Sequence, residues 1–424
     1  MNNKLFTYIA ASPTAYHTTA HTAAILADAG YTALCEGDDW TLEPGRGYYV
    51  TRNGSSIIAF RVPHNDFRGF MMAAAHGDSP CFKIKENAEL GGSYIRLSTE
   101  KYGGMLCATW MDRPLSVAGR VMLRTDGGIE TRLVDLAEPC AVIPNVAIHM
   151  NRRANDGMTY DAHTDMIPLW GGEAGSYRAK IAAKLGVAEA DILTTDLCVY
   201  NPQPGTTWGP YISAPRLDDL QCAFAALEAF LAAKASDSAP VLCIFDNEEV
   251  GSQTKQGAAS TFLCDVLGRI NRAFGGDEAR YCRRVANSFL VSADNAHAIH
   301  PNHPEYADKN HTVKMNGGIV IKYNAAQKYT TDAVSAGLFR LLCERAGAPV
   351  QMYANRADMP GGSTLGNIAN TQVSLNTIDI GIAQLAMHSA YETAGAEDTA
   401  AMVAALTALF EATLVMERDG TYRI

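Results

Sequence analysis

The sequence predicts an α/β fold in which a central mixed β-sheet is flanked by helices and interrupted by a β-rich insertion. Two observations carry this. Short apolar runs alternate with helical patterns toward both ends of the chain, and the stretch from about Leu90 to Pro210 changes to shorter, alternating runs.

The first helical pattern is Thr14 to Ala29, with apolar residues at three-to-four spacing. Leu220 to Lys234, Thr331 to Ala346 and Asp398 to Val415 repeat it. Ser56 to Val62, Phe70 to Ala75, Val241 to Phe245, Phe289 to Ala293, Gly318 to Tyr323 and Val373 to Ile378 are short and rich in β-branched or other apolar residues, as buried strands are. In the middle stretch, Tyr94 to Leu97 and Val117 to Leu123 read as hairpin-like strands, and Asp126-Gly127-Gly128 is a turn signal. Asn201-Pro202-Gln203-Pro204-Gly205 reads as the return linker. The expected organisation is one discontinuous domain, residues 1–89 and 211–424, with 90–210 inserted into it.

The chain has 424 residues, 47% of them hydrophobic and 19% charged, enough for one large core and a second, smaller one. A formal charge of -10 without a block of Lys or Arg argues against nucleic acid or an anionic membrane as the main partner. Small or peptide ligands fit better. Ten cysteines without a C-x-x-C pair read as reduced thiols. With no basic leader before the short N-terminal apolar patch and no bilayer-length apolar run, the expected location is the cytoplasm.

Functional groups of open α/β sheets collect beyond the C-terminal ends of strands. Phe70 to Ala75 runs into His76-Gly77-Asp78, Val241 to Phe245 into Asp246-Asn247-Glu248-Glu249, and Phe289 to Ala293 into Asp294. Each has a plain alternative: a hydrogen-bonded histidine, a solvated acidic loop, a lone aspartate. Asp78, two residues after His76, is close enough to hold the other ring nitrogen of a metal-bound imidazole. Asp218 and Asp219 precede a helical pattern and compete between metal ligation and N-capping. His388, taken singly, reads as a core histidine. Together these nitrogen and carboxylate groups suit Zn, Mn or Co rather than calcium. Two such ions activate water, polarise a carbonyl and stabilise an oxyanion, while a carboxylate that is not a ligand carries the proton.

The segments His76-Gly77-Asp78-Ser79-Pro80, Arg216-Leu217-Asp218-Asp219, Asp246 to Ser252, Ser292 to Asn302, Asp358 to Thr364 and Met387-His388-Ser389, in this order, resemble the aspartyl aminopeptidase family of zinc metallopeptidases, peptidase family M18. The resemblance runs over most of the chain. It implies a metallopeptidase domain holding two divalent ions, zinc before manganese or cobalt. Asp218 would bridge them, with His76, Asp294, Glu249 and His388 as the other ligands. Glu248 would be the general base and Asp78 the residue that orients His76. The family also presents an insertion histidine from a neighbouring subunit to the oxyanion. That role is assigned to His163, with His149 as competitor. Lys322 matches the family's lysine for an acidic side chain, which implies a preference for N-terminal Asp or Glu. Its alternative is a solvent-facing lysine on an edge strand. His297 and His300 would be structural. Assembly as a hollow dodecamer built from dimers is implied as well. Gly77, Asp219 and Gly361 depart from the residues more usual in the family.

The reading is therefore a two-metal aminopeptidase acting on peptides. Another two-metal amide hydrolase, such as a deacylase or carboxypeptidase, would use the same cluster. A non-catalytic metal-binding assembly protein would not need Glu248.

Overall fold

In the computed structural model, which describes residues 1–424, four neighbouring parallel strands form the middle of a 13-stranded mixed sheet: Ala239–Phe245, Phe70–His76, Phe289–Ala293 and Asn376–Leu385. Every residue of the first three is buried. Such continuous burial requires cover on both faces. Met71, Ala73 and Ala75 join the core beneath the helices Leu217–Ala232 and Asp398–Phe410, while Phe70, Met72 and Ala74 join a second core beneath Phe262–Ala273. The period of two along the strand thus sorts side chains between two apolar layers. Antiparallel partners Ser56–Arg61 and Ile319–Tyr323 make the sheet mixed.

Strand register sets where the functional side chains emerge. Phe245 pairs with His76, Ser292 with Ala74 and Ala293 with Ile380, so the four parallel strands finish along one edge. The strand expected at Val373 to Ile378 is Asn376–Leu385, longer and displaced. Gly381 inside it reads as a strand breaker. It is required there because a β-carbon would lie 2.0 Å from the carbonyl oxygen of Asp294, whose turn packs on it. The last helix stops at Phe410 instead of reaching Val415, which starts the strand Val415–Arg418.

A second sheet of seven strands is antiparallel and has its own core of 24 residues around Phe82, Trp110 and Met166. Its hairpin Ser116–Thr125 with Gly128–Asp135 closes at the Asp126-Gly127 turn. The longer strands run from Cys81 to Tyr200, so residue 89, the expected limit, lies inside the strand Cys81–Leu90. This strand leaves directly from His76-Gly77-Asp78-Ser79-Pro80, and Arg96–Tyr102 returns to the same place. No helix is long and apolar enough to cross a membrane.

One partly buried histidine gives the fold a pH signature. His17, on the helix Ala15–Asp28, pairs through Nδ1 with Thr14 Oγ1 at 2.9 Å, and burial lowers its pKa from 6.5 to about 4. A depressed pKa contributes stability that is whole above pH 6.5 and lost as pH falls toward 4. His17 alone is expected to account for a loss of up to about 3 kcal/mol over that window, read as the difference between wild type and variant in denaturant titrations. His17→Gln should flatten this loss; unchanged pH dependence in the variant would contradict the assignment.

Candidate metal centre

The four parallel strands each deliver a functional group just beyond their C-terminal ends. His76 is the last residue of its strand, Glu248 and Glu249 follow Phe245, Asp294 follows Ala293, and His388 follows Leu385 by three residues. Sequence reasoning recognised three of these strand ends. The fourth was hidden because Gly381 and Gln384 interrupt the apolar run. Asp218 comes from the opposite direction, at the start of Leu217–Ala232. Neither aspartate caps the helix with its side chain: Asp218 (ψ 107°) and Asp219 (φ -119°) stand just before the regular helix, but Asp218 Oδ1 has no hydrogen-bond partner and Asp219 Oδ2 accepts His76 N–H instead of a helix N–H.

Asp218 lies between two imidazoles. Its Oδ1 is 3.4 Å from His76 Nε2 and its Oδ2 3.5 Å from His388 Nε2. Asp294 Oδ1 stands 3.8 Å from His76 Nε2, and Glu249 Oε2 3.3 Å from His388 Nε2. These separations exceed the 2.7–2.9 Å typical of charge-assisted hydrogen bonds. Two ligand atoms about 2.0–2.1 Å from one tetrahedral ion lie about 3.3–3.4 Å apart. Asp218 Oδ1 and Glu249 Oε1 are buried with no hydrogen-bond partner at all. Orphaned carboxylate oxygens beside unshared imidazole nitrogens are the donor set a divalent transition metal takes.

The charge balance agrees. Asp78, Asp218, Asp219, Asp246, Glu249, Asp294 and Glu392 are buried or nearly so, and Lys322 is the only Lys or Arg that ion-pairs with any of them. Burial, with Asp294, Asp78 and Asp218 adding to it against His76, pushes Glu248 up to about 8; burial and Asp218 push Glu249 well above the carboxylate range. Burial opposes the charged form of His388, yet Asp218 and Glu249 raise it to about 10. Protons here do the work that cations would do.

The remaining acids hold the backbone. Asp78 accepts Glu248 N–H and Glu249 N–H, each at 3.2 Å, and the Tyr102 hydroxyl at 2.7 Å. His76 Nδ1 bonds the Asp78 carbonyl oxygen at 3.0 Å, whereas the carboxylate stands 3.5 Å away. The expected orientation of His76 by Asp78 therefore runs through the main chain, because the carboxylate is occupied by the turn that carries both glutamates. Asp219 Oδ2 accepts His76 N–H at 3.1 Å. Asp219 also lies close enough to His76 and Asp294 to be a ligand candidate, but it shares this oxygen with the backbone. Glu392 accepts Asp218 N–H at 3.0 Å and His388 N–H at 2.7 Å. His388 itself sits at φ +65°, and its Nδ1 bonds the Gly104 carbonyl. Tyr102 and Glu392 carried no sequence signal, since each lies far along the chain from the groups it holds.

A cleft of about 220 Å³ opens over this cluster, lined by Asp218, Glu248, Asp294, Lys322, Tyr329 and His388 among others. The Glu248 carboxylate accepts no hydrogen bond from the protein. Lys322 is not on an exposed edge: it is 2% exposed, its strand is flanked on both sides, and Nζ donates to the Asn295 carbonyl at 2.8 Å and approaches Asp294 Oδ2 at 3.4 Å. His163 and His149 lie on exposed segments outside the cleft, His163 in a turn where its N–H donates to Asp161. His297 lines the cleft; His300 and His303 pair with each other on the surface. Two family departures have local causes. A β-carbon at Gly77 would press on Thr18 and Ile244 at 3.0 and 3.2 Å, and one at Gly361 would lie 2.7 Å from Asn355 Oδ1.

Comparison with known proteins gives a consistent picture. The family model described as aminopeptidase I zinc metalloprotease (M18) matches residues 8–410. A probable M18 family aminopeptidase 2 of Clostridium novyi is 43% identical over 411 residues, covering 93% of this chain and 95% of its own. One of Pseudomonas aeruginosa is 42% identical over 424 residues, covering 97% and 98%. Among solved structures, Ape4 in its complex with Nbr1 superposes with a TM-score of 0.93 at 32% identity, over 96% of this chain and 85% of that one. The mApe1 dodecamer of Saccharomyces cerevisiae gives 0.85 at 28%, over 96% and 95%.

Glu392 offers a test of the scaffold that is independent of turnover. Glu392→Ala leaves two buried N–H groups unpaired and is expected to cost about 2–4 kcal/mol in denaturant unfolding. Glu392→Gln keeps an acceptor for only one of the two N–H groups and should lose part of the same stability; an unchanged stability in Glu392→Ala would contradict the bonding described.

Proposed function

The chain belongs to the M18 family of zinc aminopeptidases, and on that premise we propose that it removes N-terminal residues from peptides at a two-metal centre, with a preference for Asp and Glu. The observation that carries the two-metal reading is the divided Asp218 carboxylate, one oxygen toward His76 and the other toward His388, with a buried oxygen lacking any partner. His76, Asp218 and Asp294 would hold one ion and Asp218, Glu249 and His388 the other. When bound, such ions polarise the scissile carbonyl and make water acidic enough to attack it near neutral pH.

The chain's own groups do the rest. Glu248, whose carboxylate accepts no protein hydrogen bond and which lines the cleft, takes the proton of the attacking water and passes it to the leaving amine. Asp78 and Tyr102 hold the turn that aims it. Lys322 spends two of three donor directions on Asn295 and Asp294, and the third remains for a substrate carboxylate. Desolvation strengthens that contact. In this reading the seven-stranded sheet is the inserted unit through which dimers form. It also carries His163, or failing that His149, toward a neighbouring subunit's oxyanion. The likeness to a dodecameric relative supports the same assembly here, and the ten free thiols support a reducing, cytoplasmic setting.

Zinc-loaded protein is expected to release Asp and Glu from matched free-amine peptides roughly ten- to a hundredfold faster than Leu, from the strength of one charge-assisted contact. N-acetylated peptides should stay intact. Glu248→Gln should abolish release while zinc content, measured by mass spectrometry, stays at the wild-type level. Lys322→Met should erase the acidic preference. Normal turnover in a zinc-replete Glu248→Gln protein would sink the base assignment, and cleavage of blocked peptides would favour a deacylase or carboxypeptidase.

A further inference from the structure

At the opposite, N-terminal edge of the central strands lies a second concavity of about 450 Å³, larger than the cleft over the metal cluster. Arg68, just before the strand Phe70–His76, lines one side of it. Arg280, Arg283 and Arg284, all on the helix Glu278–Ala286, line the other. The length of that strand separates it from His76 by roughly 20 Å. The other charged groups lining it are Asp66 and Asp237, with His64, so four guanidiniums meet two carboxylates. Both acids are engaged loosely at the rim: Asp66 lies 3.8 Å from Arg280, and Asp237 3.5 Å from His64.

Arg284 is the informative member. It is 2% exposed, yet none of its partners is charged: Nε donates to the Phe67 carbonyl at 3.2 Å, Nη1 to Asn271 Oδ1 at 2.9 Å and Nη2 to the Asn65 carbonyl at 2.9 Å. Its Cζ stacks 3.7 Å from the Phe67 ring centroid. Three of five N–H groups are thus used, and a buried guanidinium stands without a carboxylate, which is costly unless a counter-charge arrives. Arg280 lies three and four residues before Arg283 and Arg284, spacings at which like charges on a helix repel. Favourable interaction with the C-terminal end of the helix dipole accounts for part of Arg283 and Arg284. It does not account for Arg280, for Arg68 on another segment, or for the concavity they share.

We infer that this cleft is a binding site for a phosphate-type dianion, free or as the monoester of a small molecule, distinct from the metal centre. The four guanidiniums exceed the two carboxylates by two positive charges, which matches a dianion better than a single carboxylate. Planar guanidinium forks match its oxygens. The volume falls in the range of small-molecule sites and leaves room for a group carrying the phosphate.

The test uses the full, zinc-loaded chain and titration calorimetry with inorganic phosphate and with glucose 6-phosphate. Because phosphate also meets zinc, the readout is the difference between wild type and variants at the exposed rim, Arg68→Ala with Arg283→Ala, and separately Arg283→Glu. Peptide hydrolysis without phosphate, unchanged within about twofold, verifies that these variants are folded. The expected result is a binding event weakened at least about tenfold in both variants, from the loss of charge-assisted bonds. Equal affinity for the two probes identifies the free anion, and tighter binding of the ester a phosphorylated small molecule. Isotherms that are the same in wild type and variants, or an absence of binding by wild type, overturn the inference.

Discussion

A carboxylate that is buried between two imidazoles and cannot satisfy both of its oxygens within the protein is the constraint around which this molecule is arranged. Asp218 reaches that position from the start of a helix, while His76 and His388 reach it from strand ends. Bringing them together concentrates negative charge where water is scarce, an arrangement that is unfavourable unless protons or cations offset it. The acids respond by dividing their work. Asp78, Asp219 and Glu392 accept main-chain N–H groups of the very residues that carry the cluster, whereas Asp218 and Glu249 each keep a buried oxygen without a partner and Asp294 turns Oδ1 toward His76. One set fixes geometry, and the other is the proposed ligand set. Hydrogen-bonded outer groups commonly orient metal ligands in this way.

The second sheet takes part in that arrangement. Tyr102 closes the Asp78 carboxylate from the end of one of its strands, and the adjoining Gly104 carbonyl receives His388 Nδ1. Movement of this sheet relative to the central one would therefore disturb the glutamate turn and His388 together. Lys322 carries a comparable double duty. Its pairing with Asp294 steadies a proposed ligand, and the same ammonium is the proposed recognition group for an acidic residue. An ammonium held this tightly is pre-organised, which limits what binding would still have to order.

Much of the centre was legible in the sequence because polar clusters directly follow apolar strands. His76, Glu248-Glu249 and Asp294 stand where a sheet edge collects chemistry, and the structure brings them together with Asp218. His388 was legible only through family resemblance, because Gly381 disguises its strand, and Gly381 is there for the close approach of the Asp294 turn. Local pattern also could not reveal Tyr102 or Glu392, whose partners are distant in the chain. Spacing and family resemblance both pointed to the Asp78 carboxylate as the partner of His76, yet the Asp78 carbonyl is nearer and the carboxylate has two amides and a hydroxyl to hold. Lys322 looked capable of lying on an edge because the pairing of its strand on both sides depends on segments later in the sequence.

The most direct test of the central role of Asp218 is the metal content of the full chain, equilibrated with zinc, gel-filtered and measured by plasma mass spectrometry beside Asp218→Asn, with circular dichroism to verify the fold. About two ions per wild-type chain, falling below about one in the folded variant, is the result that a shared bridging carboxylate predicts. A folded Asp218→Asn protein that keeps the full wild-type content would contradict it.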